Sequence, residues 1–366
     1  MQDVTIIGAG PAGSIAAIML ARGGWDVTLI EQHRFPRDKV CGECVSAMGI
    51  DVLERLHLAS AIRELSPAML NSNALVAPSG AQTVIPLPLP MWGVSRSAMD
   101  ATLLIEARRA GAHILQPARV ERLERGVVTV RDLITNVVRH IRPGRIILAD
   151  GKAALGRERP PPTGDFGVKA HFTGVADRTG TIALFGVEGH YVGLAPIEGG
   201  RWNLAMSVPE NRLRAFGGRL DALFEQCMSE NAGLARRFRT AARVSDWLVA
   251  PLPRFPLRFP EPTPARPVSP TGIIAIGNAA AALEPIGGEG MGLAMRSAEL
   301  AAGALLARGE VSDLPRNFAR LWRVRRGSCR LVARLMSRPD IADNIVALAG
   351  SNQRLGRIVM ACMGKA

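Results

Sequence analysis

The chain has 366 residues, 48% of them apolar and 4% aromatic, and carries a formal net charge of +13 at pH 7. That length and apolar share describe a globular protein with a large core, as two domains or one domain with an inserted lobe, and exclude a disordered chain. The excess charge is almost all arginine, and the aromatic residues do not interleave with the cations as a stacking platform requires. An arginine-rich surface with no nucleic-acid partner is therefore expected.

The first predicted strand begins at the third residue, which leaves no room for a secretion signal. No run of about 18 apolar residues exists to span a bilayer. Five cysteines, an odd number in a chain this long, do not make a disulfide framework. A cytoplasmic protein with reduced thiols is expected.

Residues 4–7 read as a buried strand, and Gly8-Ala9-Gly10-Pro11-Ala12-Gly13 as a G-x-G-x-x-G turn. A helix follows with Ile15, Ile18, Met19 and Ala21 inward, ended by Gly23-Gly24, and a second strand, 27–30, delivers Glu31. Gly8 allows the tight turn, Gly10 lets the backbone approach a pyrophosphate, and Gly13 lets the helix lie close on the strand. The helix N-terminus then points free N–H groups at the phosphates. Glu31, 18 residues beyond Gly13, is placed to accept hydrogen bonds from a ribose diol.

Residues 32–44 form a polar, basic loop too rich in Pro and Gly for a regular element. Arg34, Arg37 and Lys39 can fold over the dinucleotide near its phosphates, or remain solvated loop charges. Cys41 and Cys44 make C-x-x-C, but no second such pair or paired histidines complete a metal site, so no metal is expected. With Gly42 they read as a small, soft lining for a cofactor pocket.

A helix is predicted over 45–58, and short strands over 75–77 and 83–86 begin a separate sheet. A helix over 97–110, stopped by Gly111, is followed by a strand at 112–115 and a meander over 127–130 and 136–140. The buried strand of 145–151 ends in Asp150-Gly151 and returns to the nucleotide sheet. The register changes at Pro160-Pro161-Pro162. Short strands follow over 167–172, 181–187, 190–196 and 201–208, then a mostly helical run over 213–238. A proline-rich joint at 265–270 leads to a buried strand at 272–276, a glycine-dense segment over 277–292, and a helix to 308. The tail beyond Pro315 is helical and strongly basic. Such a helix rests on an anionic membrane or caps its own domain with its charge outward, and the cap is preferred.

The segment 287–292 has its own physics: a glycine-dense turn opening a helix aims free N–H groups and a positive helix end at one spot. That spot stabilises the negative charge a reduced flavin carries around N1 and O2. Gly287, Gly288, Glu289, Gly290 and Met291 belong to this segment, and Pro285 lies two residues before it.

Four pieces, GAGPAG with Glu31, R-x-P-R-x-K-x-C-G, Ala149-Asp150-Gly151 and GNAAAALEPIGGEGMGLAM, together resemble the para-hydroxybenzoate hydroxylase-type FAD monooxygenase superfamily. The likeness is to its branch of geranylgeranyl reductases and flavin halogenases. The resemblance implies an α/β fold: a Rossmann-like, GR2-type FAD-binding domain with an inserted antiparallel β-sheet substrate domain and a C-terminal helical segment. The implied FAD-binding parts are 1–68, 93–158 and 271–310, the substrate parts 69–92 and 159–270, and the helical segment 311–366. Arg96 matches the family's helix-start arginine that reaches the cofactor. Where the family has Gly-Asp on the ribityl chain, this chain has Gly277-Asn278, which still bonds hydroxyls but carries no charge.

No second G-x-G-x-x-G is present, so NAD(P)H is expected to bind transiently, or a flavin reductase or other electron donor to supply electrons. The W-x-W-x-I-P signature of halogenases is absent, which argues against halogenation. The resemblance implies a monooxygenase that hydroxylates or epoxidises an apolar or aromatic small molecule through a flavin C4a-hydroperoxide, with His190 or Tyr191 as base. The alternative is a carbon–carbon double-bond reductase of the geranylgeranyl reductase type, with Cys41, Cys44 or Tyr191 protonating. A flavin-binding carrier without catalysis is the third expectation.

Overall fold

The computed structural model describes residues 3–124, 126–151, 155, 164–252, 273–307 and 313–351. The proline-rich stretches 160–162 and 265–270 lie outside the described residues, as do the expected boundaries at 158/159, 270/271 and 310/311.

One sheet is wholly parallel. Its order is Ile273–Ala275, Arg145–Leu148, Val4–Ile7, Val27–Ile30 and His113–Leu115. The two strands Val4–Ile7 and Val27–Ile30 are buried at every residue, which is why they read as unbroken apolar runs. Helix Pro11–Arg22 lies between this sheet and helices Arg96–Arg109 and Gly290–Leu306, so the largest core cluster belongs to this half. This is the Rossmann-like half that the glycine motif predicts.

A nine-stranded, largely antiparallel sheet forms the second layer. It runs Ala242–Arg243, Asp165–Thr173, Trp202–Pro209, His190–Pro196, Thr181–Val187, Ala68–Val76, Gln82–Gly93 and Cys44–Val45, with Leu248–Pro251 also on Asp165–Thr173. Strand alternation gives it two faces. One carries Phe172, Phe185 and Leu204 under helices Leu220–Glu230 and Ala232–Phe238, where Phe172 and Phe224 each meet Phe238 edge-on at 5.0 Å. The other carries Lys169, His171, Leu184 and Tyr191, partly covered by the tail helix Leu314–Met336. The last strand, Cys44–Val45, grows directly out of the C-x-x-C loop, so that loop and the nine-stranded sheet are one continuous piece of chain.

A third sheet, Ala118–Glu124, Val127–Asp132 and Val138–Ile141, is the predicted meander. It packs Val120, Leu123, Val128 and Val130 against Ile7, Ile30 and Leu148.

Three local expectations are revised. Strands Ala68–Val76 and Gln82–Gly93 are longer than predicted, because Pro86, Pro88 and Pro90 share one parity and their missing N–H groups all fall on the same side of the strand. The expected boundaries at 68/69 and 92/93 fall at the ends of these strands. The helical run over 213–238 is three helices, Glu210–Ala215, Leu220–Glu230 and Ala232–Phe238, broken at Gly217-Gly218 and at Asn231, whose side chain caps the next helix through Leu234 N at 3.0 Å. Residues 45–58 begin as strand and continue as Ala47–Arg55.

Candidate functional site

The nucleotide end closes on hydrogens alone. Gly8 has φ +101°, and a Cβ there would meet Ala149 O at 2.5 Å; one on Gly13 would meet Gly8 O at 1.8 Å. Strand, turn and helix therefore approach as closely as backbone allows. Glu31 is buried, with Oε2 accepting from Ala9 N at 2.9 Å and Oε1 from His33 N at 2.8 Å. It holds the glycine turn in shape and keeps further lone pairs for a diol. Ala12, at the helix start, packs against Gly277, which ties the first and last glycine segments together.

The basic loop splits. Arg34 is exposed, while Arg37 is half-buried, stacks over Phe35 at 5.4 Å and leaves its Nε buried without a hydrogen bond. Lys39 reaches the backbone at Gly151, beside Asp150, whose Oδ2 accepts from Leu155 N at 3.2 Å.

Four segments meet at the second end. Arg96 Nη2 faces Gly10; Gly288, at φ +68°, faces Met91 and Cys44; Gly292 faces Ser46; and Gly277 N donates to Ser297 Oγ at 2.8 Å. Open space lies beside Gly42 and Gly290, where a Cβ would meet nothing within 4 Å. Gly287 and Met291 are buried in the turn and first helical residues, while Pro285 and Asn278 are exposed. Glu289 is buried and its Oε2 lies 3.4 Å from Arg325 Nε of the tail helix. Arg96 forks onto Asp100 at 2.8 and 2.5 Å. Burial works against its charge, but Asp100 and then Cys41 outweigh that and hold it protonated.

These residues fit an FAD. The cradle at Gly8, Gly10 and Gly13 takes a pyrophosphate on a helix N-terminus. Ser46 Oγ, buried with no hydrogen-bond partner beside Gly292, supplies a polar group at the flavin end, where helix Gly290–Leu306 begins.

Beside the large antiparallel sheet sit two buried polar groups; Tyr191 in the first is a predicted candidate, while Glu284 and, in the second, Glu43, Lys169 and His171 are residues that motif reading missed. In the first, the Tyr191 hydroxyl donates to Glu284 Oε1 at 2.9 Å, and Glu284 immediately precedes Pro285. Burial raises the Glu284 carboxyl above its ordinary range; the Tyr191 hydrogen bond only partly opposes it, and Asp165 adds to the rise. Burial likewise pushes Tyr191 well up. Burial thus favours the neutral form of both groups. In the second, Glu43, at φ +56° in the C-x-x-C loop, takes Lys169 Nζ and Arg96 N on Oε1 and lies 2.7 Å from His171 Nε2 through Oε2. Asp38, Glu43 and His171 lie close enough to share an ion, but Lys169 already supplies the positive charge there, 3.4 Å from Asp38.

The structure does not bring His190 to this place. It is one residue from Tyr191 and therefore on the other face, with Nε2 3.6 Å from Cys227 Sγ and Nδ1 3.1 Å from Glu188 O. Burial, then Arg212, lowers it to about 4. A base at His190 facing the flavin turn is thereby corrected. Cys44 is buried against Gly288, its thiol donating to Gly42 O at 3.3 Å; Cys41 is half-buried beside Arg96. One signal for the missed residues was available: Lys169 is one of four lysines in an arginine-rich chain and lies in an apolar strand.

Residues 1–176 match the family model described as an FAD binding domain. Menaquinone reductase of Mycolicibacterium smegmatis is 37% identical over 110 residues, covering 30% of this chain and 26% of that protein. The chain thus matches about a quarter of that relative's length. The 1H-pyrrole-2-carbonyl-[peptidyl-carrier protein] brominase of Pseudoalteromonas luteoviolacea is 25% identical over 394 residues, 95% of this chain and 91% of that protein. The solved flavin-dependent brominase Bmp2 superposes with a TM-score of 0.80 at 20% identity, over 100% of this chain and 94% of that one. The last likeness is one of fold.

Proposed function

We propose that this chain, a flavoprotein carrying an FAD-binding domain over residues 1–176, is a reductase that adds a hydride and a proton across a polarised double bond of an apolar small molecule. The observation that carries this reading is the hydrogen-bonded Tyr191–Glu284 pair beside the flavin turn, two acids whose neutral forms burial favours. Bound reduced FAD supplies the hydride. Glu284 supplies the proton and regains one from solvent between turnovers, while Tyr191 orients its carboxyl. Leu184, Leu75 and Ile286 beside them exclude water and suit an apolar substrate. NAD(P)H binding transiently, or a partner flavin reductase, delivers the electrons.

The test is anaerobic. Photoreduced holoprotein is mixed with a panel of quinones and prenylated alkenes while flavin absorbance is followed. Reoxidation by substrate without O2 is expected; reoxidation that demands both substrate and O2 overturns the reading.

Oxygenation of an electron-rich ring is the second reading, supported by the near end-to-end likeness to a brominase. Phenol hydroxylation needs a base, and this pair is poised as a donor, which places oxygenation second. Halogenation is not proposed, since W-x-W-x-I-P is missing.

A further inference from the structure

The turn of the small meander holds large apolar side chains out into water, and it does so by construction. Leu133, Ile134, Val137 and Val138 are all exposed, Ile134 at 64% and Val137 at 50%. A floppy loop would fold such residues inward, but this one is fastened at every step. Asp132 Oδ1 accepts from Ile134 N at 2.8 Å and Thr135 N at 2.9 Å. Asp132 N donates to Val137 O, and Leu133 N to Pro117 O, each at 2.9 Å. Arg131 Nη1 donates to Asn136 Oδ1 at 3.0 Å, and Asn136 takes the left-handed φ of +60° that the turn requires. The sheet's own apolar residues, Val120, Val128 and Val130, are already buried on the nucleotide sheet, so the tip adds nothing to the core.

Three arginines flank this tip, with Glu121 and Asp132 among them. Arg119 and Arg131 are directly paired across the strands at its base, where Arg131 is held by Glu121 at 2.5 Å, and Arg139 follows Val138; Arg119 and Arg139 are exposed. A protruding tip of four side chains is far too small for a stable protein interface, which needs about 1,000 Å² or more. Apolar groups that enter the acyl boundary while arginines meet phosphate headgroups are the pattern of an interfacial anchor. We propose that the 132–138 turn docks this protein on an anionic lipid surface, with Ile134 and Val137 inserted and Arg119 and Arg139 on the headgroups. This goes beyond the reductase reading and does not depend on it.

The experiment is cosedimentation of the FAD-loaded protein with vesicles of phosphatidylglycerol and phosphatidylcholine, or of phosphatidylcholine alone. Wild type is expected to bind the anionic vesicles at least tenfold more tightly. Ile134→Ser with Val137→Ser should lose about tenfold of that affinity, and Arg119→Gln with Arg139→Gln should lose the preference for anionic lipid, both with an unchanged flavin spectrum. Equal binding by the Ser variant overturns the proposal and assigns any binding to another basic surface, such as the tail helix. A wild-type dimer that the Ser variant converts to monomer also overturns it, making a second copy the occupant.

Discussion

Glu43 Oε2 lies 2.7 Å from His171 Nε2, and this contact joins the C-x-x-C loop to the nine-stranded sheet across 128 residues of sequence. With Lys169 on the other oxygen, the carboxylate fixes a loop residue in a left-handed conformation that costs about 1 kcal/mol or more by itself. Glu43→Gln leaves Lys169 buried against a neutral amide, and the chain should lose about 3–5 kcal/mol of stability, the usual result of removing one partner of a buried pair. Burial works to raise the Glu43 carboxyl, but the His171 hydrogen bond and the Lys169 charge outweigh it and set it below its ordinary value. Its contribution is therefore fully present above the unfolded pKa and is lost as pH falls through the depressed folded pKa. Thermal unfolding across acid pH should show this loss in wild type and a flatter profile in Glu43→Gln.

Glu284→Gln keeps the shape of the pair and cannot deliver a proton. Turnover should fall by about 10²–10⁴, the usual value of a positioned acid, with the flavin spectrum unchanged. Tyr191→Phe should cost less, because it removes the orienting hydrogen bond and leaves the carboxyl in place, still raised by burial. Since the raised Glu284 carboxyl acts in its protonated form, wild-type turnover should decline as pH rises through that pKa, and the decline should disappear in Glu284→Gln. Stopped-flow reduction of substrate across neutral pH checks both; a Gln variant with wild-type rates would remove Glu284 from the chemistry.

How much of this was legible follows from range in sequence. The nucleotide half was readable because strand, turn, helix and acid lie within 31 residues, and Gly8 and Gly13 are each demanded by a close local approach, such as Gly13 to Gly8 O. The sheet layer was readable as strands but not as faces. Alternation separates His190 from Tyr191 absolutely, yet nothing local says which one faces the flavin turn; that depends on Thr181–Val187 and Trp202–Pro209 lying on either side and on helices covering one face. Glu43 and Glu284 sit inside the quoted motifs, but their partners lie 126 and 93 residues away, and a carboxylate reveals its use only through its partner.

The flavin turn offers a conformational test. Gly288 has φ +68° and a Cβ there would lie 3.3 Å from Met91 Cε and 3.4 Å from Cys44 Cβ. Gly288→Ala adds left-handed strain of roughly 1–2 kcal/mol to a turn already in contact. FAD affinity should fall roughly tenfold while the apoprotein still folds. Gly13→Ala is harsher, since its Cβ falls 1.8 Å from Gly8 O, and that protein should purify colourless and fail to take up FAD. Absorbance during reconstitution distinguishes the two.

Asn278 gives the last prediction, and its sign is opposite. It is exposed beside Gly277, whose N–H is fixed by Ser297 Oγ, so the backbone that presents it is held without the side chain's help. If residue 278 meets the cofactor's hydroxyls, as the family resemblance implies, a neutral amide there bonds them at about half the strength of a carboxylate. Asn278→Asp changes charge and almost no volume, so the pyrophosphate cradle and the Tyr191–Glu284 pair should stay as they are. The gain of roughly 1 kcal/mol should tighten FAD binding about five- to tenfold. Flavin fluorescence titration of the apoprotein measures it directly. An unchanged Kd would mean that residue 278 does not touch the cofactor's hydroxyls, and that the ribityl chain is held by the Gly277 and Ser46 side of the site instead.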